Sequence, residues 1–522
     1  MDIKLSSIDI TVFAVYVIGL ICLALWISRS SKKDGADTED YFLAGKSLPW
    51  WAIGASLIAA NISAEQIIGM SGSGYALGLA IASYEWMAAL TLILVGKYML
   101  PIFLKNNIFT MPQYMEQRFD TRVKTIIALF WLAVYIFVNL TAVLWLGGLA
   151  IETVAGVDWM TGMCFLAAFS VVYSLYGGLK AVAYTDILQV VLLIFGGLLL
   201  SYLALVEVSA GEGAIAGFGI LTDRLPGHFD MILSPDNPFY KDLPGVSVLF
   251  GGLWVMNFSY WGFNQYIIQR ALAAKNEQEA QKGIMFAAYL KMLMPLIVVV
   301  PGIAAVILYP DLTSADQAYP SMMTLMPVGI KGLVFAALIA AIVSSLASMT
   351  NSISTIFTMD LYSKWKQGKS QHHYVQVGRI ASLVSLIIAL FIAEPLLGQF
   401  DQAFQYIQEF TGFFTPGIVV IFVMGMFWSK TSSTGAISAA IGAAVFSLVF
   451  KVFWPELPFM DRIGLIFLLC LALCIVVSLL TPNNQQNTCV SLDDVSFKTS
   501  SSFNIAAVGI IIILTALYYT WW

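Results

Sequence analysis

Charge is what this sequence has least of. Among its 522 residues only 11% are Asp, Glu, Lys or Arg, 59% are hydrophobic, and the mean hydropathy is +0.83. Soluble chains carry about a quarter charged residues, so the composition excludes a string of soluble domains. Basic residues are unclustered as well: 26 Lys and Arg stand against 31 Asp and Glu, a net charge of −5, which excludes a nucleic-acid surface. Histidine is nearly absent. His228, His372 and His373 all fall in polar stretches, leaving the apolar runs without the commonest general base and metal ligand, which argues against a membrane-embedded enzyme. The cysteines, Cys22, Cys164, Cys470, Cys474 and Cys489, show no metal-ligand spacing, and Cys470 with Cys474, one helical turn apart in an apolar run, read as packing residues. The first apolar run, about Ile8 to Ile27, lacks the basic start and small-residue cleavage site of a signal peptide and reads as a retained span.

What the sequence does contain is apolar runs of about 20 residues, the length that crosses a bilayer as a helix. About fourteen can be counted, at roughly 8–28, 49–74, 79–104, 122–153, 159–178, 183–207, 248–271, 276–309, 331–361, 376–396, 403–428, 433–453, 459–481 and 504–522. Lysine and arginine gather in alternate loops: Arg29, Lys32, Lys33 and Lys46; Lys105, Arg118, Arg122 and Lys124; Arg270, Lys275 and Lys282; Lys364, Lys366, Lys369 and Arg379. The intervening loops hold few, chiefly Arg224, Lys241, Lys451 and Arg462. The positive-inside bias then sets the amino terminus outside the cytoplasm, and an even span count sets the carboxyl terminus outside too. Spans 2–6 begin in the cytoplasm and spans 7–11 outside, so two five-helix blocks run in opposite senses. The expected fold is an all-α integral membrane protein of about 14 transmembrane helices, with a five-plus-five inverted-repeat core and two broken helices. Its expected divisions are 1–48 (first span and cytoplasmic loop), 49–207 (first repeat), 208–247 (an outer loop), 248–428 (second repeat) and 429–522 (accessory spans 12–14).

The first helices of the two blocks share a fault. One carries Ala59-Ala60-Asn61-Ile62-Ser63-Ala64-Glu65-Gln66, the other Asn257-Phe258-Ser259-Tyr260-Trp261-Gly262-Phe263-Asn264-Gln265. Polar, helix-weakening stretches at matching positions of inverted repeats point to a substrate and ion site, because unwound backbone offers carbonyls and amides that lipid cannot satisfy. Ionisable groups within spans face a cavity or a partner, and Glu65, Glu85, Asp186 and Lys291 stand out. Glu85 and Lys291 can pair across a polar cavity, as ligand contacts or as a structural ion pair. Gln66, Asn257 and Gln408 add amides that donate and accept, while Tyr260 and Trp261 offer flat faces, a set that suits a neutral sugar better than an ionic substrate. Ser344 and Ser345, with the carbonyls of Ala341, Ala59 and Ile62, can form a small oxygen cage for sodium; serine pairs also serve as packing devices, and both readings stand. Asp186 supports that cage or caps its own helix.

At these residues the chain resembles the sodium/solute symporter family, and closely its bacterial sodium/galactose transporters, over nearly its whole length. The resemblance is carried by YFLAGKSLPWWAIGASLIAANISAEQIIGMSGSGYALGLAIASYEW from Tyr41 to Trp86, YIFVNLT from Tyr135, YGGLKAVAYTDILQV from Tyr176, YWGFNQYIIQR from Tyr260, AAIVSSLASM from Ala340 and FQYIQEFTG from Phe404. It implies an alternating-access symporter that couples inward sodium flow to hexose uptake. It further implies sugar contacts at Gln66, Glu85, Asn257, Lys291 and Gln408, and Tyr260 stacking on the ring as inner gate. An outer gate at Met70, Tyr84 and Phe404 is implied too, with sodium ligands at Ala59, Ile62, Ala341, Ser344 and Ser345 and Asp186 nearby. Ala88 departs: the family's galactose transporters have a sugar-facing serine there, so the epimer preference is in question. The expected setting is a bacterial inner membrane crossed many times, with lipid and sugar as partners and a homodimer as one role for span 1 and spans 12–14. Other solutes, such as inositol or an amino acid, and a sodium channel remain the competing classes.

Overall fold

The computed structural model describes residues 5–31, 46–108, 111–176, 179–398, 402–481, 492 and 495–522. Lys32, Lys33, the start of the Tyr41–Trp86 motif, part of the run from Tyr176, Cys489 and most of the polar stretch before the last span lie outside them. Backbone polar groups in hydrocarbon must be satisfied within their own segment, and the apolar runs accordingly form helices. Among the described residues the only β pairing is an isolated bridge between Leu48 and Ala274.

In chain order the principal helices are α1 (Ser7–Ser31), α2 (Trp50–Asn61), α3 (Met70–Leu77), α4 (Ser83–Leu94), α5 (Met111–Arg118), α6 (Thr121–Val134), α7 (Thr141–Ala155), α8 (Trp159–Tyr176), α9 (Leu179–Val208) and α10 (Ala214–Arg224). They are followed by α11 (Gly252–Phe258), α12 (Gln265–Leu272), α13 (Glu277–Leu308), α14 (Ile330–Thr355), α15 (Gln371–Leu397), α16 (Ala403–Gly412), α17 (Thr415–Phe427), α18 (Ser433–Phe453), α19 (Phe459–Leu480) and α20 (Ser501–Thr520). Among the described residues nine helices are long and apolar enough to cross a membrane, or ten when α16 and α17, bent by 49°, count as one span. The count differs from the fourteen expected for identifiable reasons. Of α1 and α8 only Ser7–Leu23 and Trp159–Val172 are described with their side chains, and Glu65–Lys105 runs almost continuously through a sharp turn. That turn needs Gly78: its φ is +76°, and a Cβ there would lie 2.2 Å from the His228 carbonyl oxygen.

Helix α13 is the central pillar, packed against α2, α3, α4 and α9, while α14 packs against α1, α8, α9 and α15. Small residues set the closest approach. A Cβ on Gly54 of α2 would stand 2.7 Å from the carbonyl of Gly283 on α13, so the two backbones touch in the small-residue packing typical of membrane helices.

The start of α1 and the end of α20 are each tied to the bundle. Asp9 accepts hydrogen bonds from Gly329 N (2.7 Å) and Gly332 N (3.0 Å) at the start of α14. The Trp521 carbonyl accepts from Met231 N at 2.8 Å, and its ring meets Phe218 and Phe229 in the 208–247 stretch. Glu116 of α5 bridges Lys124 (2.8 Å) and Lys364 (2.6 Å). Burial raises the Glu116 carboxyl, but hydrogen bonds from the two lysines outweigh it and hold it down at about 2.

Candidate functional site

Two interruptions position the site. Helix α2 ends at Ile62, whose φ of −71° and ψ of 95° turn the backbone extended after a last ladder bond from Ile62 N to Ile58 O of 2.7 Å. The following N–H groups therefore point away, and the carbonyls from Ala59 to Ile62 lose their helical partners, before the ladder resumes with Ile67 N donating to Ser63 O at 3.0 Å. The chain resumes as a wider π-helical turn, Glu65–Gly69, before α3. Helix α11 likewise passes into a π-helical turn, Ser259–Phe263, then into extended backbone at Asn264 (φ −79°, ψ 125°) before α12. A third backbone irregularity comes from Pro295 in α13, which lacks the N–H that would otherwise bond the Lys291 carbonyl.

A cavity of about 80 Å³ lies between these elements. Gln66, Glu85, Ala88, Asn257, Tyr260, Lys291 and Gln408 all line it, so every residue expected at the substrate is brought to one space. The Lys291 ammonium sits 2.6 Å from Glu85 Oε2, donates to Asn61 Oδ1 and lies 5.1 Å from the centre of the Trp261 ring. Gln66 donates to the other Glu85 oxygen and approaches the Met70 sulfur at 3.4 Å. A buried ion pair is tolerable when further hydrogen bonds occupy its remaining lone pairs and protons, as here. Tyr260 accepts at its hydroxyl from Asn61 Nδ2 and from the Tyr266 hydroxyl, both at 3.1 Å, which pins the ring between the two breaks. Asn257 donates within its own helix, to Leu253 O at 3.1 Å, and keeps its amide oxygen for the cavity.

Over the cavity, the Tyr84 and Phe404 rings meet edge-to-face with centroids 5.1 Å apart. Met70 follows Gly69 at the start of α3, and a Cβ on Gly69 would lie 3.3 Å from Phe404 Cβ. The three residues expected as outer gate thus stand together.

The serine pair lies on a neighbouring interface. Ser344 donates to Asp186 Oδ1 at 2.7 Å, while the Ser345 hydroxyl is buried with no hydrogen-bond partner. Asp186 also bonds Ser56, one turn before Ala59 and Ala60 on α2, and Arg270 lies 3.5 Å from its other oxygen while donating to Ser56 at 2.9 Å. The carboxylate therefore ties α14 to the broken helix α2. Ala59, Ile62 and Ala341 are buried alongside. The hydroxyl oxygens of Ser344 and Ser345 and the carbonyls at the α2 break are hard, uncharged donors, which suits a weakly held monovalent cation.

Sequence reasoning overlooked Arg270 as the partner of Asp186, because it was read as a loop cation. It also left Asn61, Trp131, Asn139, Asn264, Thr411 and Thr415 out of the cavity that they line. Asn61 lay within the recognised break. Trp131, Asn139 and Thr411 are single polar groups in apolar helices and carry no distinguishing pattern.

A polar cavity at two helix interruptions, enclosed by long apolar helices with an aromatic pair over its mouth, defines a membrane transporter. Residues 41–442 match the sodium:solute symporter family, and the chain belongs to that family. It is 53% identical to a sodium/glucose cotransporter of Vibrio parahaemolyticus over 99% of both chains. It is 34% identical to the sodium/myo-inositol cotransporter 2 of Homo sapiens, covering 84% of this chain and 69% of that one. Among solved structures, the substrate-bound outward-open state of a Na+-coupled sialic acid symporter has the same fold, with a TM-score of 0.79 and 22% identity over 92% of this chain and 99% of that one. The protein is thus a multi-pass, sodium-coupled solute symporter and not an enzyme.

Proposed function

We propose that the solute is a neutral hexose, galactose or glucose, carried inward with sodium by alternating access. The observation that carries this reading is the lining of the cavity: Gln66, Glu85, Asn257, Lys291 and Gln408 offer interleaved donors and acceptors beside the faces of Tyr260 and Trp261. Such a set matches hydroxyls around an apolar ring face, and the 53% identity to a sodium/glucose cotransporter supports it. Sodium sits among the carbonyls of Ala59, Ile62 and Ala341 and the hydroxyls of Ser344 and Ser345, with Asp186 orienting Ser344.

The mechanism is linkage. Sodium holds the break after α2 against α14 and favours the outward-open arrangement with the sugar site preordered. Sugar closes Met70, Tyr84 and Phe404 over itself. Loss of sodium to the cytoplasm frees Tyr260 from its tie to Asn61 and lets the sugar leave. Each ligand shifts the equilibrium only by its differential affinity for the two states. The frame for this motion is a five-plus-five inverted repeat, residues 49–207 and 248–428, within fourteen spans. The protein lies in a bacterial inner membrane with both termini outside the cytoplasm, and the spans outside the repeat are free for lipid or a second copy. Proteoliposomes holding the purified chain test the reading. Saturable uptake of labelled galactose or glucose that requires an inward sodium gradient is expected, with competition by hexoses exceeding that by myo-inositol or neutral amino acids. Stronger competition by myo-inositol, the solute named for the 34% identical relative, would reassign the substrate.

A further inference from the structure

Part of the cavity is built from polar groups that the sugar contacts above do not use. Trp131 is 3% exposed, lines the cavity, and has an indole N–H without a hydrogen-bond partner. Glu65 engages Asn139 yet leaves Oε1 buried and unpartnered, and the Thr411 hydroxyl is buried and unpartnered as well; both residues line the same cavity. Buried polar groups without partners are destabilising, and a cluster of them facing one space marks a place where a ligand completes them.

Thr411 and Trp131 lie apart from the principal contacts, while Glu65 immediately precedes Gln66. On the helix that carries the outer gate, Phe404 precedes Gln408 by about one turn and Thr411 follows it by about one turn, so Thr411 lies on the far side of Gln408 from the gate. Trp131 stacks on Tyr135, whose hydroxyl donates at 2.9 Å to Asn264, one turn beyond Tyr260. The unpartnered groups are a bare donor, a bare carboxylate acceptor and a hydroxyl that does either. A cation would meet the indole N–H, and an anion would meet the Glu65 carboxylate. A neutral ligand with adjacent hydroxyls satisfies all three.

We propose that Glu65, Trp131 and Thr411 form a second polyol subsite on the inner side of Gln408 and Tyr260, which receives the sugar after it leaves the principal contacts. The proposal rests on the hexose reading above. In the full chain, Trp131→Phe and Thr411→Val remove one hydrogen-bonding group each at nearly constant shape, and Glu65→Gln keeps the volume. Sodium-dependent equilibrium binding of labelled galactose by purified protein is expected to stay within about twofold of the unaltered chain. Turnover of sodium-driven uptake in proteoliposomes is expected to fall about five- to tenfold, with the half-saturating sugar concentration little changed. The subsite is overturned if turnover is unchanged in Trp131→Phe and Thr411→Val. It is equally overturned if equilibrium affinity falls in step with turnover, because the groups then belong to the principal site. Failure of the hexose reading looks different: the unaltered protein then binds neither galactose nor glucose with sodium. If Glu65→Gln lowers the thermal midpoint, the two shape-preserving variants decide the matter.

Discussion

Ser344 donates its hydroxyl hydrogen to the Asp186 carboxylate over 2.7 Å, and this bond joins α14 to the α2 break through Ser56. Its neighbour Ser345 is buried without a partner. The two serines therefore predict opposite balances of stability and function. Ser345→Ala removes a buried hydroxyl that has no hydrogen-bond partner, so the thermal midpoint without sodium is expected to hold or rise, while sodium-driven uptake is lost. Ser344→Ala deprives a buried carboxylate of a hydrogen bond worth about 1.5–3 kcal/mol and is expected to lower the midpoint as well as uptake. Thermal unfolding in detergent beside uptake in proteoliposomes reads both; undiminished uptake by Ser345→Ala would sink the sodium assignment.

Lys291 and Glu85 form a cycle of substitutions. Removing one partner of a buried, hydrogen-bonded pair costs about 3–5 kcal/mol, because the other charge is left alone. Lys291→Met is accordingly expected to destabilise the chain more than the double replacement Lys291→Met with Glu85→Gln. Sugar binding is expected to be weakened in both, with sodium binding largely retained. If sugar affinity survives the double replacement, the cavity is not the substrate site, whatever the stability shows.

The parts of the site legible in the sequence were those where a polar group breaks a strong local rule. Lys291 and Glu85 are charges in apolar runs, and the stretch from Ala59 to Gln66 weakens a helix that has no other reason to be weak. Arg270 was legible only as a basic residue near a span end, because its pairing with Asp186 joins positions 84 residues apart. Thr411 and Trp131 obey every local rule, and only the unpartnered state of their polar atoms sets them apart. The number of spans was obscured by similar physics: α2 and α11 are too short to cross, being halves of interrupted helices, and their apolar composition alone does not tell a half from a whole.

Ala88 lines the cavity at 2% exposure, where the resemblance leads one to expect a serine. Ala88→Ser adds a hydroxyl to the same Cβ, at the cost of burying one more polar group. A net hydrogen bond of about 0.5–1.5 kcal/mol predicts up to about a tenfold gain in affinity for the hexose whose hydroxyl it meets. The measurement is competition between galactose and glucose for sodium-dependent binding. A changed ratio locates Ala88 at an epimer-distinguishing hydroxyl, whereas equal shifts for both sugars would remove it from that role.

The last prediction concerns the 208–247 stretch, whose Asp242 is pushed up to about 6 by burial and by the negative charge of Glu409 on α16. A carboxyl raised above its ordinary value of 3.8 favours the neutral form in the fold. Its stabilising contribution is therefore complete below that ordinary value and is lost as pH rises through about 6. Glu409 itself is paired with Arg462 at 2.9 Å and Lys451 at 3.0 Å. Amide hydrogen exchange of residues 226–245, corrected for the intrinsic pH dependence of exchange, is thus expected to show stronger protection at pH 5 than at pH 7.5. Asp242→Asn, which fixes the group uncharged, is expected to keep the pH 5 level of protection at both values. Protection that loses its pH dependence in a Glu409→Gln variant would assign the effect to the repulsion, whereas an unaltered profile in Asp242→Asn would show that another group controls the docking of this stretch.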